Sequence, residues 1–88
     1  MLIENIKEIT IYEVQTLKTL FLDAIQESKE IILDMATVGK IDIVGIQLLI
    51  SFVKTAQSKN IQLRLQNIPE SILQQIELSH CKTPLGLT

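Results

Sequence analysis

The stretch Ile31-Ile32-Leu33-Asp34-Met35-Ala36-Thr37-Val38-Gly39-Lys40-Ile41-Asp42-Ile43-Val44-Gly45-Ile46-Gln47-Leu48-Leu49-Ile50 decides the fold. Ile31, Ile32 and Leu33 form a short continuous apolar run between a helical pattern and a loop. Such a run predicts a central strand, Glu30–Met35, buried on both faces. A loop follows, and a helical period begins after Asp42. A carboxylate there can accept hydrogen bonds from the free amides of a first turn, so Asp42 is the expected N-cap. Ile46, Leu49, Ile50, Val53 and Ala56 form the inward stripe of that helix. Gln47, Ser51, Lys54, Thr55 and Ser58 form the outward one, and Asn60 ends it.

On the N-terminal side, Met1–Ile6 is apolar and β-branched enough for a short strand. Glu8-Ile9-Thr10-Ile11 is a second extended candidate, or the run into the next helix. From Glu13 to Ser28 the period becomes helical, with Val14, Leu17, Phe21, Ala24, Ile25 and Ser28 on one face. Leu20 widens that face, and Leu22 falls among polar neighbours. On the C-terminal side, Ile61-Gln62-Leu63-Arg64-Leu65-Gln66 alternates strictly, as a strand with one wet face does. Pro69 is placed to open a third helix at its first turn, with Ile72, Leu73 and Ile76 as its apolar face. Two strands joined through a helix of this length predict a right-handed crossover and parallel pairing. The fold class is therefore α/β: a small mixed sheet with helices packed on one face. One domain spanning residues 1–88 is expected.

Composition narrows the function. At 47% hydrophobic residues and a mean hydropathy of +0.32, so short a chain cannot bury all its apolar side chains, and some must form surface. The net charge is −2. With no basic stripe, nucleic acid is not an expected partner. No apolar run approaches the roughly 20 residues of a membrane span, so direct membrane insertion is not expected. No basic segment followed by an apolar stretch marks a signal peptide. A single cysteine, Cys81, excludes an internal disulfide framework and fits a reducing cytoplasm.

These pieces, in this order, resemble the STAS family, the sulfate-transporter and anti-sigma-factor-antagonist domains. Glu8-Ile9-Thr10-Ile11-Tyr12 is similar to the segment leading into the family's first helix, and Ile32-Leu33-Asp34 to its central strand. Asp42-x-x-Gly45-Ile46-Gln47-Leu48-Leu49 resembles its core motif, in the form often associated with chemotaxis and receptor signalling. Gln62-Leu63-Arg64-Leu65, Pro69-Glu70-Ser71-Ile72 and Leu78-Ser79 follow at the expected spacing. Three departures stand out. Signalling members carry a phosphorylated serine or threonine after the aspartate, whereas this chain has Ile43, so no phospho-acceptor is expected there. Thr37 carries a hydroxyl nearby but lies outside the motif. A glycine common after the third helix is replaced by His80. The N-terminus is shorter than is usual in the family, which would leave an open sheet edge able to recruit another chain, a second copy included.

The resemblance implies a non-catalytic protein–protein interaction module of bacterial signalling. Its partner would be a signalling kinase, a chemotaxis component or an anti-sigma factor, held permanently or regulated elsewhere. The family's partner surface lies at this helix start. Val44 falls on the polar side of the helix, bordered by Ile43 and Leu48. Asp42, Ile43, Val44 and Leu48 are accordingly the candidate partner-binding residues, although packing of Val44 against the 36–41 loop would also account for it. An alternative is a cytoplasmic STAS accessory subunit of an ABC-type lipid transporter.

Enzymatic readings find little support. Asp34 reads as a strand-end residue and Asp42 as a cap rather than as a catalytic pair. Zinc needs four ligands, or three and a water, and His80 and Cys81 are the only His and Cys. Neighbours in sequence rarely face each other as a nucleophilic pair, and Cys81 reads as a buried small hydrophobe. Gly39 and Gly45 do not form a phosphate-cradling loop. No catalytic residue, cofactor or metal is expected.

Overall fold

A computed structural model describes residues 1–87; Thr88, the last residue of the expected unit, lies outside the described residues. The order of elements is β1 (Leu2–Ile3), β2 (Glu8–Ile9), α1 (Val14–Glu27), β3 (Glu30–Asp34), β4 (Lys40–Ile41), α2 (Ile43–Ser58), β5 (Gln62–Gln66) and α3 (Glu70–Leu78). The architecture is α/β, as the sequence predicts. The expected mixed sheet is instead parallel throughout. A three-stranded sheet runs in the order β1-β3-β5, and β2 and β4 form a separate parallel pair.

The sheet is covered on one face. Ile31 and Leu33 point into the core, where they are almost wholly enclosed. Ile32, between them, is only half-buried, and its neighbours Leu2 and Arg64 on the flanking strands are exposed. The expectation of a strand buried on both faces is thus corrected. An apolar run predicts burial on both faces only where layers exist on both sides, and here the helices supply one.

Two elements are shorter or shifted. The N-terminal strand spans Leu2–Ile3 rather than Met1–Ile6, because Asn5 adopts a left-handed conformation (φ 65°) that breaks an extended run. Pro69 is the N-cap residue of α3 rather than its first helical position. In α1 the inner face is Leu17, Phe21, Ala24 and Ile25, while Leu20 is 41% exposed and does not widen it. Leu22 is exposed, as its polar neighbours suggest.

In α2, Ile46, Leu49, Val53 and Ala56 are buried as predicted, and Ile50 is half-buried. Phe52, outside both predicted stripes, is also buried and stacks on Phe21 of α1. The two rings lie parallel with centroids 4.1 Å apart. A helix that packs on a sheet and on a second helix buries a wider arc than one stripe describes.

The second and third helices each close with a left-handed residue. Asn60 (φ 57°) follows α2, and the Ile61 amide donates to the Ala56 carbonyl. His80 (φ 57°) follows α3, and the Cys81 amide donates to the Ile76 carbonyl. This is the geometry that glycine most often supplies after a helix, which explains why a histidine at this position reads as a departure.

Candidate functional site

Asp42 sits where β4 gives way to α2. Its backbone is extended (φ −126°, ψ 179°), as an N-cap requires. One carboxylate oxygen, Oδ1, accepts from the Gly45 amide at 2.8 Å, capping the helix. The other, Oδ2, accepts from the Ile11 amide at 3.0 Å, in the turn between β2 and α1. The Asp42 amide in turn donates to the Ile9 carbonyl at 3.3 Å. One side chain thus ties two loops that are distant in sequence. The Ile11 amide, then that of Gly45, hold its carboxyl below the ordinary carboxylate range, because both favour the charged form.

Gly45 supplies the second half of the arrangement. A Cβ at this position would lie 1.8 Å from the Ile9 carbonyl oxygen and 2.6 Å from its carbon. Only the absence of a side chain lets the first turn of α2 rest on β2. The spacing Asp-x-x-Gly therefore has a structural basis: the aspartate caps and ties, and the glycine permits contact.

Between these anchors, Ile43 is 54% exposed. Val44 is half-buried, and Leu48 is half-buried against the edge of the core. Of the four candidate residues, then, Asp42 has both oxygens occupied within the chain, and Ile43 presents the largest free apolar side chain. The sequence reading missed two neighbours. Ile11 is 55% exposed and Tyr12 83% exposed. They occupy the turn that Asp42 holds, so the exposed apolar residues of both loops are gathered around one carboxylate. The available signal was an apolar–aromatic pair directly before α1 and outside its inner stripe.

Beneath this turn, Thr10 is buried. Its hydroxyl donates to the Glu8 carboxylate at 2.9 Å and accepts from the Tyr12 amide at 3.3 Å. The Thr37 hydroxyl donates to the Ile6 carbonyl at 2.9 Å, fastening the loop before β4. Asp34 ends β3 and accepts from the Ala36 amide and the Asn67 side chain. Cys81 is half-buried rather than buried, with its thiol donating to the Ser79 carbonyl. No group of three or more His, Cys, Asp or Glu side chains among the described residues could hold a metal ion. No helix among them is long and apolar enough to cross a membrane.

The site is thus a helix start capped by Asp42 and docked on β2 through Gly45, within a parallel α/β core. The chain belongs to the STAS domain family, whose model matches residues 1–83. STAS domains are in general non-catalytic modules that bind protein partners, of the anti-sigma-factor-antagonist or sulfate-transporter type. No curated protein matches the chain.

Proposed function

We propose that this chain is a protein–protein interaction module of bacterial signalling, working in the cytoplasm. It docks onto a signalling kinase, a chemotaxis component or an anti-sigma factor through the start of α2. Ile43, Val44 and Leu48 supply the contact, and Asp42 holds it in shape. The observation that carries the reading is the exposure of Ile43 at a helix start fixed from both sides. A contact residue whose backbone is already fixed loses little further backbone entropy on binding. Ile11 and Tyr12 extend the same surface, and aromatic residues are common anchors at interfaces.

Position 43 has no hydroxyl, so this contact is not released by phosphorylation there. Binding is permanent, or its regulation lies elsewhere.

The test is affinity capture from the native cell with the intact chain and with Ile43→Asp, followed by mass spectrometry. An acidic residue in the first turn suits the helix dipole, so this change leaves the fold intact. A signalling component retained by the intact chain and lost with Ile43→Asp is the expected result. Retention of a transporter ATPase instead would overturn the signalling setting. Equal capture by both chains would overturn the surface.

A further inference from the structure

A groove runs between α1 and α2 on their solvent side, beginning at Leu48. Its floor is the Phe21–Phe52 ring stack, and Lys18, Leu22, Ile25 and Thr55 wall it. Floor and walls come from two helices that the stack holds together, so the shape does not depend on a loop. Leu22 stands at the rim, 46% exposed. The Thr55 hydroxyl turns back to donate to the Ser51 carbonyl at 2.9 Å and makes no demand on an occupant. Ile25 also borders a depression at the far end of the helix pair, where Lys29 and Lys59 stand. The charges are one-sided. Lys18, Lys29 and Lys59 are exposed, and none forms a salt bridge among the described residues. α2 carries no carboxylate. Of the acids of α1, Asp23 lines neither depression, and Glu27 reaches only the far one. A chain with a net charge of −2 thus presents a row of cations along one apolar groove.

We propose that this groove binds an acidic amphipathic helix of the partner, laid along α1 and α2. The inference rests on the reading above that Leu48 belongs to the partner-binding surface, and it names the chemistry that surface recognises. Size excludes a small-molecule ligand. The cleft holds about 70 Å³, whereas such sites run to roughly 300–1,000 Å³. That space takes the tip of one apolar side chain. A helix in a groove delivers such side chains at i, i+3, i+4 and i+7. One enters between Leu22 and Leu48, and the next turn meets Ile25 and Thr55. Carboxylates on the flanks of that helix then face Lys18 at one end and Lys29 and Lys59 at the other. Charge pairing of this kind selects the partner and speeds its approach. A second copy of this chain is a poor occupant, because the apolar faces of its own helices are turned inward.

The probe is a helical peptide as long as α1, 14 residues, with leucine on one face and glutamate on both flanks. A side-chain staple holds it helical, since so short a helix is marginal alone. Its control carries lysine in place of glutamate. Each is titrated into the isotope-labelled full chain and followed by NMR. The glutamate peptide should shift the Leu22, Ile25 and Leu48 methyl signals saturably, and the lysine peptide should bind roughly tenfold more weakly. Added salt should narrow that gap. Lys18→Glu should weaken the glutamate peptide roughly fivefold and strengthen the lysine peptide. Leu22→Glu should weaken the glutamate peptide further. Both positions are exposed, so neither change threatens folding, and circular dichroism checks this. No saturable binding, shifts centred elsewhere, or equal affinity for the two peptides would overturn the proposal. So would concentration-dependent shifts at those methyls without peptide, which would assign the groove to a second copy. Capture from the native cell separates this inference from the reading it rests on. A partner lost with Ile43→Asp but held by Leu22→Glu retires the helix and leaves the α2 surface standing. A partner lost with Leu22→Glu but held by Ile43→Asp does the reverse.

Discussion

The Cα of Gly45 stands so close to Ile9 that any side chain would collide with the Ile9 carbonyl oxygen, 1.8 Å from where a Cβ would sit. The two nearest atoms, the Ile9 carbonyl oxygen and carbon, are backbone and cannot rotate away. Gly45→Ala should therefore destabilise the protein by about 3 kcal/mol or more, at the upper end of overpacking effects. Urea unfolding checks this. A cost below about 1 kcal/mol would mean that α2 can lift from β2 without harm.

The Asp42 carboxylate should make stability sensitive to acid. Its pKa is lower folded than unfolded, because the Ile11 and Gly45 amides bind only the charged form well. The stability it contributes is fully present above about pH 4, the ordinary carboxylate value, and is lost as pH falls through the folded-state value. Asp42→Asn keeps the size but cannot accept from both amides. The gap in urea midpoint between the two proteins should be constant from pH 5 to pH 7 and narrow below about pH 4. A gap that persists undiminished at lower pH would assign the role to shape rather than charge.

His80 occupies a left-handed position after α3. A side chain there is strained relative to glycine, while glycine adds freedom to the unfolded chain. His80→Gly should give a net gain of roughly 0.5–1 kcal/mol, read as a higher thermal midpoint. A loss would show that the imidazole makes a contact worth more than the strain.

Local features were legible in the sequence, and long-range ones were not. Asp42 could be read as a cap because its acceptor and the Gly45 amide are three residues apart. Its bond to Ile11 spans 31 positions and leaves no local trace. Gly45 has the same history: its necessity comes from a strand near the N-terminus. Phe52 was missed because a single stripe assumes one packing partner, and α2 has two. Ile32 was assigned to the interior because a run of three apolar residues does not record which face lacks a layer. Boundaries shifted where one residue's conformation decided them, as with Asn5 and Pro69. At the candidate site, helix phase puts Val44 on the polar side with Ile43 at its border, whereas Ile43 is the more exposed of the two; the gathering of Ile11 and Tyr12 beside it came from tertiary structure alone.

Support and signal are separable at the start of α2. Asp42 and Gly45 hold the helix in place through bonds and contacts that involve no side chain from residues 43 or 44. A change at position 43 therefore leaves both anchors of the helix in place. The exposed surface at this helix start can vary while its foundation stays the same.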